Sequence, residues 1–242
     1  TYTDSLNAIF YLTNTLMVHK LFKKRILLSI PNSIEAQLLF LALLHTNDVV
    51  LLNPEHNEIF VKKLQKDLDI DVIITEKNIL PLVGELKNLY FKCNDQDWPS
   101  QLHPGSICLM TSGTTGKPSP VLIRHDEIIN YGGTLLPYFD ISSNDCLYNI
   151  IPFYHGYGLT RIMTVILTGS SMYVPSTLSI PQIINDINQH KCTWTSLIPR
   201  VIKIINKNQL KLWKGFKFAT SSASLIDLNT LENFCTCLLY TS

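Results

Sequence analysis

The sequence has 242 residues, enough for one large domain or two modest ones, and 46% of them are hydrophobic, which supports a substantial core. The formal net charge of +1 shows no basic or acidic bias, which argues against a nucleic-acid-binding surface. The most apolar stretch, residues 38–52, is interrupted by His45, Asn47 and Asp48, whereas a membrane-spanning helix needs about 20 apolar residues. We therefore predict no membrane span.

Helix and strand patterns alternate over residues 4–75. An amphipathic helix is predicted over 4–22, a second runs from its cap at Ser33 to about His45, and a third covers 57–68. The apolar residues that define the first helix are Leu6, Ile9, Phe10, Leu16 and Met17. Those expected to face inward from the third are Ile59, Phe60, Leu64 and Leu68. The strand-like runs are Ile26–Ile30, Val49–Leu52 and Val72–Thr75.

The same alternation continues after a polar loop, residues 94–100, which marks a sub-region boundary near 94–105. Strands are predicted at 106–110, 146–151 and near 171–174, 193–198 and 216–219. Helices are predicted at about 126–136 and near 158–168, 180–189 and 200–206. The pattern therefore predicts an α/β fold with mostly parallel sheets and flanking helices.

A glycine-rich run with interspersed hydroxyls follows the strand at 106–110. It has the sequence Thr-Ser-Gly-Thr-Thr-Gly-Lys-Pro over residues 111–118. Glycine lets the backbone turn tightly, and consecutive N–H groups in such a turn form an anion-binding nest. The hydroxyls add donors for phosphate oxygens. The run predicts a phosphate-binding loop; the alternative is an ordinary surface loop rich in Ser, Thr and Gly.

The loop does not match two widespread phosphate motifs. A Walker A motif has four residues between its first glycine and the Gly-Lys pair, but Gly113 and Gly116 enclose only Thr114 and Thr115. A dinucleotide fingerprint needs Gly-x-Gly, which the loop lacks. A P-loop NTPase or kinase is therefore disfavoured. A serine hydrolase is disfavoured as well, because the sequence contains no Gly-x-Ser-x-Gly.

The cysteines show neither a disulfide framework nor a zinc-binding pattern, because they are scattered and contain no Cys-x-x-Cys pair. They are Cys93, Cys108, Cys146, Cys192, Cys235 and Cys237. We predict no metal site from them and expect a reducing, cytoplasmic location.

Residues 111–118 resemble throughout the phosphate-binding loop of the adenylate-forming superfamily. This superfamily comprises acyl-CoA synthetases, the adenylation domains of nonribosomal peptide synthetases, and luciferases. Its pattern is Ser/Thr-Ser-Gly-Ser/Thr-Thr-Gly-x-Pro-Lys-Gly. The sequence departs from that pattern at Ser119, where the family has lysine, and at Pro120, where it has glycine; Lys117 occupies the variable position.

Four further segments resemble the superfamily in the expected order. Residues 30–54 are similar to its early strand–helix–strand unit, and residues 121–125 to the strand after the loop. Residues 151–158 resemble its aromatic, histidine-bearing substrate motif, and residues 219–225 resemble the turn that borders the adenine pocket. The resemblance thus covers almost the whole chain.

The resemblance implies an incomplete large N-terminal domain, a partial AMP-binding domain over residues 1–236. It implies a fragment of an ATP-dependent ligase that joins a small carboxylic acid to the α-phosphorus of ATP and releases pyrophosphate. A thioester then forms on CoA or on the phosphopantetheine of a carrier protein. Aryl, fatty and amino acids all stay open as substrates. The alternative is a non-catalytic relative that binds an acyl group or a nucleotide, which the departures at Ser119 and Pro120 favour.

Matching positions assign the site residues. The nucleotide-binding set is Thr111, Ser112, Gly113, Thr114, Thr115, Gly116, Lys117, Ser221, Ser222 and Ala223. The substrate-binding set is Tyr154, His155 and Gly156, with His155 as the catalytic candidate; otherwise His155 is a packing histidine between two tyrosines. The Mg²⁺-binding glutamate, the ribose-binding aspartate and the small C-terminal domain with its catalytic lysine are absent from this sequence, so we expect the fragment itself to be inactive.

The last six residues, 237–242, have a different expected origin. Cys-Leu-Leu-Tyr-Thr-Ser is the translation of TGT CTC TTA TAC ACA TCT, which resembles a transposon end used in preparing sequencing libraries. We predict adaptor read-through there; the alternative is a native apolar strand from Leu238 to Tyr240.

Overall fold

The computed structural model describes residues 2–78, 105–111, 118–175, 179–208, 211–222 and 224–239. The chain divides into two compact units, Thr1–Tyr131 with Phe153–Thr160 and Gly132–Pro152 with Arg161–Ser242. Each unit contains its own sheet. The predicted boundary near 94–105 lies almost entirely outside the described residues.

Eight α-helices and nine strands are present in the described ranges. The helices are α1 (Tyr2–Val18), α2 (Ile34–Leu44), α3 (Glu58–Asp67), α4 (His125–Leu135), α5 (Gly156–Thr168), α6 (Ile180–Gln189), α7 (Pro199–Lys207) and α8 (Leu228–Leu239). The strands are β1 (Arg25–Ser29), β2 (Asp48–Leu51), β3 (Val72–Thr75), β4 (Ile107–Met110), β5 (Pro120–Ile123), β6 (Cys146–Tyr148), β7 (Ser171–Tyr173), β8 (Trp194–Leu197) and β9 (Phe218–Ser221).

Both sheets are mostly parallel, which confirms the predicted α/β fold. In the first unit the strand order is β3-β1-β2-β4-β5, and only β5 runs antiparallel to its neighbour β4. In the second unit the order is β7-β6-β8-β9, and all three pairings are parallel. Among the described residues, none of the helices combines the length and the hydropathy needed to cross a membrane.

The central strands of the first sheet are buried on both faces. Ile26, Leu27 and Leu28 of β1 are at most 1% exposed. Such continuous apolar runs are typical of parallel strands that helices cover on both sides. On one face Leu27 packs in a cluster with Leu64 of α3. Two helices begin where the sequence supplies a cap: Ser33 accepts the Ala36 N–H at the start of α2, as predicted, and Asn57 does the same for α3.

The first helix is shorter than the predicted range 4–22. Lys20 adopts a left-handed φ of 59°, and its N–H donates to the Met17 carbonyl while the Leu21 N–H donates to the Leu16 carbonyl. These two bonds form a Schellman motif, which ends a helix. Leu6 and Met17 were expected on the apolar face, but both are 39% exposed because they lie at its margins.

The inward face of α3 differs from the prediction at one residue. Leu64 is buried and Phe60 and Leu68 are partly buried, but Ile59 is 81% exposed. At 100° per residue Ile59 lies on the side of the helix opposite Leu68, so it cannot share the buried face of α3.

Two strands differ in their bounds from the prediction. β6 ends at Tyr148 rather than at residue 151, and the strand predicted near 216–219 is β9, which covers Phe218–Ser221.

The core of the second unit is built around Trp194 and Tyr148, neither of which is exposed. The Trp194 ring stacks on Phe218 with centroids 5.6 Å apart. Gly132 in α4 allows close packing in this unit, because a Cβ there would lie 3.1 Å from the Met163 Cβ of α5.

The C-terminal helix α8 includes Leu238 and Leu239, so the alternative of a strand over those two residues is wrong. The origin of residues 237–242 stays a prediction.

A buried polar junction fixes β2 and β4 in the first unit. The Asn47 side chain, which is not exposed, accepts the Lys24 N–H at 3.0 Å and donates to the Leu21 carbonyl at 3.1 Å. Asp48 accepts both the N–H and the hydroxyl of Ser106. Gly105 lies against this junction, and a Cβ at Gly105 would lie 1.6 Å from the Asn47 carbonyl oxygen.

We expect Gly105→Ala to lower the free energy of unfolding by about 3 kcal/mol or more, because the obstructing atom belongs to the backbone and cannot rotate away. Gly133→Ala is the matched control: nothing lies within 4 Å of a Cβ at this helical position, so alanine should raise stability by up to about 1 kcal/mol. Urea unfolding of both variants checks the two signs. Equal stability of the two variants would contradict the packing at Gly105.

Candidate functional site

The predicted phosphate loop connects two antiparallel strands and is closed at its base by hydrogen bonds. The Thr111 N–H donates to the Ser119 carbonyl at 2.9 Å. The Thr111 hydroxyl lies 3.2 Å from the same carbonyl and 3.3 Å from the Ser119 N–H. These hydrogen bonds hold the two ends of the loop together at the carboxyl end of β4. In this sheet β4 runs parallel to its neighbour β2.

Six of the predicted nucleotide-binding residues lie between these ends, outside the described residues. They are Ser112, Gly113, Thr114, Thr115, Gly116 and Lys117, and their assignment stays a prediction. Thr111 is described, and its hydroxyl is engaged with Ser119. Its place is therefore at the base of the loop.

The two departures from the family loop pattern fit the backbone without strain. Ser119 bonds to Thr111 through its main chain, so its side chain is free to vary. Pro120 pairs with Met110 as the first residue of β5, the edge strand of the sheet. Proline is tolerated at the first residue of an edge strand, because no ladder donor is needed there.

The histidine-bearing motif packs on the same unit of the chain. Phe153 is not exposed, and its ring centroid lies 5.7 Å from that of Phe40 in α2. Tyr154 follows, half-buried, with its ring centroid 4.9 Å from that of His155. The His155 carbonyl accepts the Leu159 N–H at 2.9 Å and so begins the first turn of α5.

Gly156 brings the start of α5 close to the strand that leads into the loop. A Cβ at Gly156 would lie 3.4 Å from the Leu109 Cδ1 atom in β4. Leu109 stands two residues before Thr111. The structure therefore places Gly156 beside Leu109, a residue more than forty positions earlier in the sequence.

His155 is suited to act as a neutral imidazole. Its side chain is more than a third exposed, and partial burial lowers the pKa of His155 below its ordinary value. A neutral imidazole presents one N–H donor and one acceptor nitrogen. Beside a carboxylate it can donate a hydrogen bond without first taking up a proton.

Glu55, in the loop after β2, is a charged neighbour of Tyr154 that the sequence analysis did not single out. Burial, and then the negative charge of Glu55, raise the pKa of the Tyr154 hydroxyl, so Glu55 lies within electrostatic reach of the motif. The Glu55 N–H donates to the Asn53 Oδ1 at 3.0 Å. The signal that could have found Glu55 is its place just after a parallel strand, where ligands of α/β sheets bind.

The predicted adenine-side residues belong to the second unit. Ser221 is the last residue of β9, opposite Leu197 of β8, and it is exposed. The Ser222 N–H donates to the Leu197 carbonyl at 3.4 Å. Ala223 lies outside the described residues. The turn thus follows the carboxyl end of a parallel strand, as the loop at Thr111 does in the first unit.

No three His, Cys, Asp or Glu side chains come together as a metal site within the described ranges. The superfamily that the loop resembles binds Mg²⁺ through a glutamate of a motif that this sequence does not contain, so Mg²⁺ binding stays a prediction.

The comparison with protein families decides the family. The family model described as AMP-binding enzyme matches residues 1–237, nearly the whole chain. The chain belongs to the AMP-binding enzyme family. The loop, the histidine motif and the serine turn all lie within the matched residues.

Two curated relatives each match about two thirds of this chain. A sulfoacetate–CoA ligase from Cupriavidus necator is 24% identical over 163 residues, 66% of this chain and 31% of the relative. Nonribosomal peptide synthetase 4 from Gibberella zeae is 25% identical over 164 residues, 67% of this chain and 2% of the relative. The AMP-binding chain thus spans less than a third of the length of either relative.

A solved structure shares the fold. O-succinylbenzoate coenzyme A synthetase from Bacillus subtilis, in complex with AMP, superposes with a TM-score of 0.83 at 17% sequence identity. The match covers 98% of this chain and 52% of that one.

We expect the His155 imidazole to titrate below the ordinary histidine pKa of about 6.5. The unfolded chain then binds more protons than the folded chain between the two pKa values, so His155 makes stability fall as the pH drops through that window. NMR titration measures the midpoint directly, and His155→Gln should lose less stability than the wild type between pH 7 and pH 5.

His45, whose pKa is lowered by burial and by His125, is present in both proteins. The difference between wild type and variant therefore isolates His155. A midpoint at or above that of a histidine in a short peptide would show that burial does not act on this ring.

Proposed function

We propose that the chain is part of the N-terminal domain of a ligase that activates a carboxylic acid with ATP. The observation that carries this proposal is that Gly156, at the end of the Tyr154–Gly156 motif, lies beside Leu109 of β4, the strand that leads to the loop base at Thr111. The acid and the triphosphate are both anions and must be held together against repulsion. A donor-rich loop beside a neutral imidazole suits that task.

In the proposed reaction a carboxylate oxygen attacks the α-phosphorus of ATP. A new P–O bond forms, the bond between the α-phosphorus and the bridging oxygen breaks, and its electron pair leaves with pyrophosphate. The N–H groups and hydroxyls of residues 112–116 hold the β- and γ-phosphates and follow the leaving group. Ser221, Ser222 and Ala223 border the adenine.

His155, Tyr154 and Gly156 take the acyl side of the site. The His155 N–H donates to the acid, and the small Gly156 leaves room for it beside β4. In a second step the acyl-adenylate passes to a thiol, either CoA or the phosphopantetheine of a carrier protein. The names of the two curated relatives support one acceptor each. The proposed location is the cytoplasm, where both acceptors and ATP are available.

We expect the double variant Thr114→Val and Thr115→Val to weaken ATP binding by about tenfold or more, because each lost hydroxyl removes a hydrogen bond to a charged phosphate. AMP, which lacks the β- and γ-phosphates, should bind this variant and the wild type equally. Calorimetric titration of both nucleotides measures the two affinities.

Thr236→Val is the matched control, because Thr236 is an exposed threonine of α8 in the second unit. It should leave both affinities unchanged. If the loop variant weakened AMP and ATP alike, the loop would not hold the terminal phosphates, and the proposed reaction would lose its basis.

The second candidate function is a non-catalytic binding protein for a nucleotide or an acyl group. The observation that favours it is the loss of the loop lysine at Ser119, whose side chain cannot supply a positive charge. We expect Ser119→Lys with Pro120→Gly to strengthen ATP binding by about tenfold, since the ammonium adds a charge-assisted hydrogen bond.

Ser119→Gln with Pro120→Gly is the control, because glutamine adds length and polarity without charge. A gain only in the lysine variant would mean that this chain holds the triphosphate weakly, as the binding-protein candidate requires. Unchanged ATP affinity in both would show that position 119 does not face the phosphates.

A further inference from the structure

Two thiols lie side by side in the second unit, and neither belongs to the residues assigned to the reaction. Cys146 is the first residue of β6, and Cys192 stands two residues before β8. Their Sγ atoms are 3.6 Å apart, and both cysteines are reduced. Their positions in the sequence gave no sign of this pair.

The backbones of the two cysteines are held together independently of the sulfur atoms. The Thr193 N–H donates to the Cys146 carbonyl at 2.8 Å, and the Cys146 N–H donates to the Thr193 hydroxyl at 3.0 Å. The Trp213 indole N–H donates to the Cys192 carbonyl at 2.7 Å. A disulfide has an S–S length of about 2.05 Å, so the sulfur atoms must approach by about 1.6 Å. Forming the bond therefore requires the two side chains to rotate toward each other.

The two thiols have different surroundings. Cys192 is not exposed, whereas Cys146 is partly exposed. The hydrogen bond with Cys192 and a weaker one with Ser171 lower the pKa of the Cys146 thiol, although burial opposes them. The bond with Cys146 and burial raise the pKa of the Cys192 thiol. Cys146 is the thiol that a peroxide reaches first, because it is partly exposed and Cys192 is not.

We propose that Cys146 and Cys192 form a reversible disulfide when the chain meets a hydroperoxide. The Cys146 thiolate attacks one peroxide oxygen, an S–O bond forms and the O–O bond breaks. The other oxygen leaves as hydroxide or alkoxide and takes a proton from water. Cys146 is thereby oxidised by two electrons to a sulfenic acid, and the peroxide is reduced.

The Cys192 sulfur then attacks the Cys146 sulfur. The S–S bond forms, the S–OH bond breaks, and the hydroxyl group leaves as water with the Cys192 proton. A small dithiol restores both thiols by exchange. The bond would join β6 to the turn before β8 and close the chain between them.

The test treats the full chain with a small excess of hydrogen peroxide, blocks the remaining thiols by alkylation and maps peptides without reduction. We expect one cross-linked peptide pair, containing Cys146 and Cys192, with a mass 2 Da below the sum of its reduced parts. The cross-link should form at a rate independent of protein concentration and should disappear after treatment with a dithiol. The oxidised chain should unfold at a higher temperature, because the bond restricts the unfolded chain.

Cys146→Ser and Cys192→Ser should each abolish the cross-link. Cys235→Ser, at an exposed position of α8, should leave it intact. If Cys146→Ser or Cys192→Ser fails to fold, the wild-type chain still provides a test. Its Cys146–Cys192 cross-link should form in the folded state and should be lost when peroxide is added in 8 M urea. The proposal is overturned if the folded chain gains oxygen on Cys146 without a cross-link, if both thiols stay open to alkylation, or if the cross-links involve other cysteines equally.

Discussion

The parallel direction of neighbouring strands constrains everything else in this molecule. β1, β2 and β4 run side by side in one direction, so the segments that follow them emerge at the same edge of the first sheet. Thr111 and Glu55 reach that edge because each follows such a strand. The second sheet repeats the arrangement, and Ser221 leaves its carboxyl end in the same way. The candidate residues therefore lie where α/β sheets bind ligands.

Close backbone approach turns this shared edge into a site. Gly156 lets the start of α5 lie against Leu109, and so the aromatic motif stands next to the strand that carries the loop. Gly105 does the same for the junction at Asn47, which fixes β2 and β4 at their other ends. A Cβ at Gly105 would collide with the Asn47 carbonyl oxygen, whereas one at Gly156 would only touch the Leu109 side chain. The buried aromatic contact of Phe153 with Phe40 then holds the motif in place.

The sequence predicted the fold class and most elements because helical and strand periodicities report burial directly, as at β1 and α2. It failed where position along a helix decides exposure, as at Ile59, and where a left-handed residue ends a helix, as at Lys20. The loop and His155 were predicted as motifs, but the packing of Gly156 beside Leu109 of β4 could not be predicted from their spacing. Glu55 and the Cys146–Cys192 pair were missed, because contacts between distant positions leave no periodic signal in a single sequence.

The central claim is that ATP binds at the carboxyl edge of the first sheet. The measurement that tests it most directly is a titration of the chain with ATP, followed through its backbone amide NMR signals. The account predicts shifts at Thr111, Ser119 and Tyr154–Gly156. The amide signals of the cationic segment 20–25, at the junction of α1 and β1, are the control. A nucleotide attracted only by its negative charge would bind there and shift those signals. Shifts confined to that segment, or no shifts at the predicted residues, would contradict the account.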